Sequence, residues 1–224
     1  MTDSMARPEV SSQDLRVHLN AGLAALGLDR VDAEQRNLLI RYLALMQRWN
    51  ATHNLTAVRD LLEMVARHLL DSLAVLPFLP EGAVADIGSG AGLPGIPLAI
   101  CRPAQAFTLV EPAAKRVAFL RHVIADLGLT NVRVAAQSSE DYHPDFLPEV
   151  IVSRATAPLA RLDAMTRHLQ GPHTQVLAHK GPGVEAELAD WRRAATLHIT
   201  HQDLVIPDLP PRLLLSWRVS VTTP

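Results

Sequence analysis

The stretch Val84–Ala99, with the sequence VADIGSGAGLPGIPLA, constrains the fold of this chain more than any other segment. A short apolar run ends at Asp86, glycines follow at positions 88, 90, 92 and 95, and an apolar segment comes next. This order predicts a buried strand, a glycine turn and the start of a helix. Glycine lets the backbone approach a ligand closely, and a helix N-terminus offers unpaired N–H donors. The stretch therefore predicts the binding site of a nucleotide-like cofactor.

Two classes of cofactor fit such a turn. Residues Gly90–Gly95 match the GxGxxG fingerprint of dinucleotide binding. Asp86, however, stands two residues before the first glycine, where a carboxylate at the end of the strand would face the cofactor. A negative charge there repels a pyrophosphate but attracts the sulfonium and ammonium groups of S-adenosylmethionine. The stretch therefore favours S-adenosylmethionine, with a nicotinamide dinucleotide as the alternative.

The chain from residue 79 onward alternates between predicted strands and predicted helices, as βαβ units do. After the strand that ends at Asp86, six more strands are predicted at residues 106–111, 132–136, 150–154, 175–179, 198–205 and 213–221. Seven strands with a final antiparallel hairpin are the plan of the class I S-adenosylmethionine-dependent methyltransferases, whereas the fully parallel dinucleotide fold normally has six strands. The predicted fold is therefore α/β and Rossmann-like.

The first part of the chain, residues 1–78, is predicted to be a helical extension that packs on a Rossmann-like methyltransferase domain at residues 79–224. Asp32 and Gln35 form a predicted capping box at the start of one helix. Residues 61–76 also show helical periodicity, after a loop at residues 50–60. Arg67 and Asp71 lie at i, i+4 in that helix and predict an ion pair on its surface.

Composition bounds the function classes. The net charge of −2 and the pI of about 6.5 give no general attraction to nucleic acid, so any phosphate contact needs a local patch. No apolar run approaches the roughly 20 residues that span a bilayer, and the first residues lack the regions of a signal peptide. A single cysteine, Cys101, suits a reducing compartment. The histidines have no carboxylate or cysteine companions at metal-ligand spacing. A cytoplasmic protein without a metal or a membrane partner is predicted.

Polar side chains follow several predicted strands, at the edge where open α/β sheets bind ligands. Glu111 is suited to the ribose hydroxyls of a nucleoside, and Ser139 with Glu140 is placed to meet an adenine. Arg154 suits a carboxylate or a phosphate. The sequence Ser153-Arg154-Ala155 stands where the Asn-Pro-Pro-aromatic signature of amide and adenine-N6 methylation would fall. Without that signature, the acceptor atom is already nucleophilic or the base comes from elsewhere in the chain.

Several longer motifs carry a family resemblance. They are Trp49-Asn50, Asn54-Leu55-Thr56, Val58-Arg59-Asp60, Arg67-His68, Leu70-Asp71-Ser72, DIGSGAGLPGIPLAI at residues 86–100, Lys115-Arg116-Val117, Phe119-Leu120, Ser153-Arg154-Ala155 and Lys180-Gly181. With these motifs in order, the chain resembles the bacterial 16S ribosomal RNA guanine-N7 methyltransferases over residues 15–221. The resemblance implies methyl transfer from S-adenosylmethionine to N7 of a guanine in the small ribosomal subunit.

The resemblance places family cofactor contacts on Gly88, Leu93, Ser139, Glu140 and Arg154. Combined with the residues found above, the predicted cofactor site comprises Asp86, Gly88, Gly90, Gly92, Leu93, Glu111, Ser139, Glu140 and Arg154. Glu111-Pro112 stands where relatives often have Asp followed by Ser. Since N7 of guanine already has a free lone pair, no catalytic base is assigned, and Arg154 and Lys180 are the candidates for positioning the substrate.

The predicted RNA contacts are basic residues expected around the mouth of the cofactor site. They are Arg59, Arg67, His68, Arg116, Arg121 and Lys180. The expected partner is 16S ribosomal RNA within the small subunit, bound by a monomer. The alternatives are a small-molecule methyltransferase, an NAD-dependent oxidoreductase, and a non-catalytic RNA-binding or ribosome-assembly module with a vestigial pocket.

Overall fold

A seven-stranded sheet forms the centre of the molecule. The structure, a computed structural model, describes residues 11–219. The strands are β1 (Val84–Ile87), β2 (Phe107–Val110), β3 (Val132–Ala135), β4 (Val150–Arg154), β5 (Gln175–Lys180), β6 (His198–Leu204) and β7 (Arg212–Arg218). They lie in the order β3-β2-β1-β4-β5-β7-β6, and only the pairs that include β7 are antiparallel. The predicted α/β fold with its closing hairpin is confirmed; residues 220 and 221 of the last predicted strand lie outside the described residues.

Strand β1 lies in the interior of the sheet, and its sequence explains why. All four residues of β1 and of β2 are buried, as expected for short apolar strands that are covered on both faces. Strand β1 pairs with β2 on one side and with β4 on the other, so the chain winds outward in both directions from this point. A crevice opens at such a switch point, beyond the carboxyl ends of the strands, and ligands bind there.

Helices cover both faces of the sheet. They are α1 (Ser12–Ala25), α2 (Ala33–His53), α3 (Leu61–Met64), α4 (Asp71–Leu73), α5 (Gly95–Cys101), α6 (Ala114–Leu127), α7 (Leu159–Thr166) and α8 (Val184–Asp190). The predicted capping box is confirmed, because Asp32 and Gln35 each accept a hydrogen bond from the backbone N–H of the other. Helix α2 continues to His53 and ends at Asn54, which has a φ of 50°. The predicted loop therefore starts four residues later than expected.

The predicted helix at residues 61–76 is interrupted. A π-helical turn at Val65–Leu70 separates α3 from α4. Such a turn inserts an extra residue and changes which side chains share a face of the helix. Nε of Arg67 lies 2.6 Å from Oε1 of Glu63. The side chain of Asp71, in contrast, is buried. The predicted Arg67–Asp71 ion pair is therefore wrong.

The N-terminal helices share one apolar core with α5, α6 and one face of the sheet. A second core lies on the other face, beneath α7 and α8. Tyr42 of α2 is fully buried and donates a hydrogen bond from its hydroxyl to the carbonyl of Ala91, at 2.6 Å. Ala91 belongs to the glycine turn, so the helical extension contacts that turn directly.

Candidate active site

Two glycines allow the turn after β1 to pack closely against its surroundings. Gly88 has a φ of +70°, and a Cβ there would lie 2.4 Å from Cγ2 of Thr156. A Cβ at Gly95 would lie 2.4 Å from Cδ2 of Leu109 and 2.6 Å from Oδ2 of Asp86. A side chain at either position would collide with these neighbours. Glycine at both positions therefore lets the backbone between them pack against the carboxyl end of β1.

Asp86 lies beneath the turn and not in the wall of the cavity. Its side chain is fully buried, and Oδ2 accepts a hydrogen bond from the N–H of Gly95 at 2.9 Å. Burial raises the pKa of this carboxyl to about 7. The sequence predicts a carboxylate that faces the cofactor; the structure instead gives Asp86 the role of holding the glycine turn at the start of α5.

A cavity of about 770 Å³ opens beside the turn, within the range that suits a nucleoside-sized ligand. Seven of the predicted cofactor residues line it, namely Gly88, Gly90, Leu93, Glu111, Ser139, Glu140 and Arg154. Gly92 does not line the cavity, because it faces Ile96, Leu120 and Tyr42 at the root of the turn. The structure thus brings together predicted residues from four separate segments of the chain.

Glu111, which directly follows β2, lines this cavity. Its carboxylate is 2% exposed and accepts hydrogen bonds from the N–H groups of Gly90, at 2.9 Å, and Ala113, at 2.8 Å. Each carboxylate oxygen can accept more than one hydrogen bond. The longer side chain at this position therefore reaches back to the glycine turn and keeps acceptor capacity for vicinal hydroxyl groups.

Ser139 and Glu140 lie in the loop after β3 and form another part of the wall. The hydroxyl of Ser139 donates to Oε2 of Glu140 at 2.8 Å. This hydrogen bond lowers the pKa of Glu140, which is itself exposed. Ser139 is buried, and its hydrogen bond holds the Glu140 carboxylate at the cavity wall in its ionised form.

Arg154 joins the cavity to the helical extension. Its Nη1 lies 2.5 Å from Oδ2 of Asp71 and donates to the carbonyl of Arg67 at 2.8 Å. Arg212 of β7 donates from Nε to the other oxygen of Asp71 at 3.0 Å. Asp71 is 6% exposed, and both arginines are 17% exposed. We call these three side chains the Asp71 cluster; it fixes Arg154 at the edge of the cavity.

Two histidines border the Asp71 cluster. Nε2 of His179 lies 3.6 Å from Oδ1 of Asp71, and His68 contacts the hydroxyl of Thr56 at 3.0 Å. Burial lowers the pKa of each histidine to about 4. His68 is also buried, so the structure does not present it at the surface, where the sequence predicts a contact with RNA phosphate.

Lys180 also differs from its predicted role. The side chain is 8% exposed, and Nζ binds Oε2 of Glu187 at 2.7 Å and the carbonyl of Ala157 at 2.5 Å. A lysine held in this way stabilises the connection between β4 and α7 and is not presented to an RNA phosphate. The sequence places Lys180 at the end of a strand, but it does not show that Glu187 of α8 binds the lysine.

Three other predicted RNA contacts are exposed, although they differ in position. Arg59 donates to the carbonyl of Asn50 and to the side chain of Asn54 at the end of α2. Arg116 lines the cavity, with Nη1 at 3.7 Å from Glu111. Arg121 projects from α6. Arg67, the remaining exposed candidate, is paired with Glu63.

Sequence reasoning missed several polar residues of the site. Asp71 belongs to one of the motifs that carried the family resemblance, and that motif could have indicated it. Thr156, which donates to the carbonyl of Ile87 at 3.0 Å, and Arg161 both line the cavity. Arg161 and Arg212 give no local signal, because each enters the site from a segment distant in sequence.

Across residues 11–219, no group of three or more His, Cys, Asp or Glu side chains is arranged to hold a metal ion. Within the same part of the chain, no helix has the length and apolar character needed to cross a membrane.

Comparison with known proteins identifies relatives that cover most of the chain. Residues 35–209 match the family described as rRNA small subunit methyltransferase G. The protein named ribosomal RNA small subunit methyltransferase G from Xanthomonas oryzae pv. oryzae is 44% identical over 93% of this chain and 94% of its own. The protein of that name from Methylobacillus flagellatus is 45% identical over 76% of this chain and 82% of its own.

Solved structures support the fold. The human methyltransferase 10 domain containing protein matches 80% of this chain and 95% of its own, with a TM-score of 0.56 at 13% identity. At that identity the likeness concerns the fold alone, and it agrees with the strand order described above. Family membership rests on the sequence relatives and on the matched residues, which include the glycine turn, Glu111 and Arg154. The chain belongs to the rRNA small subunit methyltransferase G family.

Proposed function

We propose that this chain transfers a methyl group from S-adenosylmethionine to N7 of a guanine in 16S ribosomal RNA of the small ribosomal subunit. The names of its relatives support ribosomal RNA as the substrate. The observation that carries the proposal is Glu111, a buried carboxylate anchored by two backbone N–H groups in a glycine-walled cavity. A nucleoside with free ribose hydroxyls complements those acceptor oxygens.

The residues of the cavity fit S-adenosylmethionine in their chemistry. Glu111 would hold the ribose, Ser139 with Glu140 would hold the adenine, and Arg154 would hold the methionine carboxylate. The glycine turn would let the backbone N–H groups approach the ligand. When bound, S-adenosylmethionine supplies an electrophilic methyl group on a sulfonium ion.

The protein's own contribution is then orientation. The described residues that line the cavity include no histidine and no lysine, and the proposed reaction requires none, because N7 of guanine carries a free lone pair. Holding two reactants in place contributes effective molarities of about 10⁵–10⁸ M. The Asp71 cluster keeps Arg154 rigid, which is the property that an orienting residue needs. The guanine must be unstacked or in a loop, since base chemistry needs access to the base edge.

Calorimetric titration tests the cofactor. We expect heat from S-adenosylmethionine or its demethylated product, and none from NAD. Glu111→Gln weakens that binding, because the amide presents one acceptor oxygen in place of two. Glu185→Gln on the surface of α8 is the matched control and leaves affinity unchanged. Tight binding of NAD without heat from S-adenosylmethionine would contradict the proposal.

Labelled-methyl transfer to small subunits tests the role of Arg154. The subunits come from a strain that lacks this methyltransferase. Arg154→Ala reduces the rate about 10–150-fold, since a hydrogen bond to a charged group contributes about 1.5–3 kcal/mol. Arg154→Lys keeps the charge but loses the planar donor set, so we expect an intermediate rate. A folded Arg154→Ala protein with the wild-type rate would assign Arg154 a structural role only.

The organisation and the setting of the chain complete the proposal. Among the described residues, positions 11–78 form a helical extension, and positions 79–219 form the methyltransferase domain on which the extension packs. The protein works in the cytoplasm, because its proposed substrate is a ribosomal subunit. It acts as a monomer, for which gel filtration of the full chain is the direct test.

A further inference from the structure

Two segments of the chain contain basic residues and no acidic ones. Residues 35–59 include four arginines and a histidine but neither Asp nor Glu, and residues 112–125 repeat this pattern with Lys115, Arg116, Arg121 and His122. The whole chain has a net charge of −2. Both segments therefore have a positive formal charge, whereas the chain as a whole has a negative one.

The fold places these two segments side by side. Helices α2 and α6 run antiparallel, with Arg41 paired to Asp126 at one end, at 2.9 Å between Nη2 and Oδ1. Nearer the other end, the ring of Trp49 packs on Phe119 with 5.6 Å between centroids. The two segments therefore lie next to each other, and Arg116 of the second one lines the cavity.

Three rings cluster on the paired helices. Trp49 is half-buried, and its ring centroid lies 5.0 Å from that of His53 and 5.6 Å from that of His122. Both histidines are exposed. Lys115 lies seven residues before His122, so both fall on the stripe of α6 that faces α2. We call Trp49, His53, Arg59, Lys115 and His122 the Trp49 surface.

The Trp49 surface borders the cavity through α6. Arg59 caps the end of α2, at 3.0 Å from the carbonyl of Asn50 and 2.7 Å from the side chain of Asn54. Arg116 follows Lys115 at the start of α6 and lines the cavity itself. A chain bound along the surface would therefore lead directly to the proposed site of methyl transfer.

We propose that the Trp49 surface binds a single-stranded or unstacked segment of RNA next to the target guanine. Bases stack on the exposed imidazoles of His53 and His122, which Trp49 supports from beneath, and phosphates meet Arg59 and Lys115. Exposed rings together with nearby cations suit nucleic acid better than a protein or lipid anion, because only nucleic acid presents bases for stacking. This assignment rests on the proposed function and replaces His68 and Lys180 as RNA contacts.

Fluorescence anisotropy with the full chain and a labelled single-stranded RNA of mixed sequence tests the assignment. His53→Ala with His122→Ala weakens binding at least about thirtyfold, the lower limit for two lost stacking contacts of about 1 kcal/mol each. Changing both histidines to Phe keeps the rings and retains most of the affinity. Lys115→Gln lowers the dependence of log K on log salt by about 0.7, the value for one phosphate on a single strand.

Arg30→Gln is the matched control, because Arg30 is exposed and precedes the far end of α2. A helix of 21 residues, about 30 Å long, separates it from His53. If the alanine variant binds RNA as well as the Arg30→Gln variant, the assignment is wrong. Equal weakening toward RNA and toward polyglutamate would also overturn it, since that result describes a general polyanion surface.

The same variants separate this assignment from the proposed function. None of these substitutions should change the heat of S-adenosylmethionine binding. If wild-type protein binds RNA through the Trp49 surface and transfers no methyl group to small subunits, the proposed function fails while the surface stands. If methyl transfer is normal in the alanine variant at limiting subunit concentration, the surface fails while the proposed function stands.

Discussion

Asp86 and Asp71 both have buried carboxyl groups near the cavity. The hydrogen-bond partner of Asp86 is close in sequence, whereas the partners of Asp71 are distant in sequence. Asp86 has one hydrogen bond, from the N–H of Gly95 nine residues away, and its Oδ1 has no partner among the described residues. Asp71 receives two arginines that are 83 and 141 residues away in sequence. The glycine turn is therefore a local structure, whereas the Asp71 cluster exists only because the whole sheet has formed.

The largest expected effect is on the Asp71 cluster. Asp71→Ala leaves two mostly buried guanidinium groups without their counter-ion, and breaking a buried ion pair from one side costs about 3–5 kcal/mol. We expect a loss near the lower limit, since both arginines keep 17% of their side-chain exposure. Urea unfolding of the variant and the wild type measures the difference.

Glu63→Gln is the control for this comparison. It removes the Arg67–Glu63 pair, whose side chains are 50% and 46% exposed, and such surface pairs contribute less than about 1 kcal/mol. If Asp71→Ala costs no more than Glu63→Gln, the cluster is not a structural link between the extension and the sheet.

A smaller effect is expected in the glycine turn. Gly95→Ala places a methyl group 2.4 Å from Leu109 and 2.6 Å from Asp86, and overpacking of this kind costs about 1–3 kcal/mol. The turn must move to relieve the contact, so we also expect weaker binding of S-adenosylmethionine. Gly181→Ala is the control, since a Cβ there meets nothing within 4 Å. Equal stability of the two variants would show that the turn is not tightly packed.

The two regions should also respond to pH with opposite signs. Burial raises the pKa of Asp86 to about 7, so its contribution to stability is fully present below pH 4 and is lost as the pH rises toward 7. Burial lowers the pKa of His68 and of His179 to about 4. Their contribution is fully present above pH 6.5 and is lost as the pH falls toward 4.

Substitutions allow the sign of each pH dependence of the unfolding free energy to be measured. Relative to the wild type, Asp86→Asn should gain unfolding free energy as the pH rises from 4 to 7. The double variant His68→Gln with His179→Gln should gain relative to the wild type as the pH falls from 6.5 to 4. Thermal unfolding at several pH values compares the slopes, and parallel curves for a variant and the wild type would refute the assignment for that region.

The difference between these regions also explains what the sequence could predict. The glycine turn, the strands and the capping box at Asp32 arise from neighbours along the chain, and local patterns indicated all of them. Arg212 reaches Asp71 because β7 pairs with β5. No local sequence pattern predicts that contact. The sequence shows that a side chain is basic but not whether it is buried. Lys180 and His68 are therefore predicted as RNA contacts, although both are buried in the structure. The π-helical turn before Asp71 changed the expected partner of Arg67.

One measurement tests the central claim most directly. Small ribosomal subunits from a strain without this methyltransferase are incubated with the full chain and S-adenosylmethionine, and their 16S RNA is digested to nucleosides. We predict one new equivalent of 7-methylguanosine per subunit, in an amount that Arg154→Ala reduces. Methylation at another atom, or the absence of any methylated nucleoside with folded wild-type protein, would contradict it.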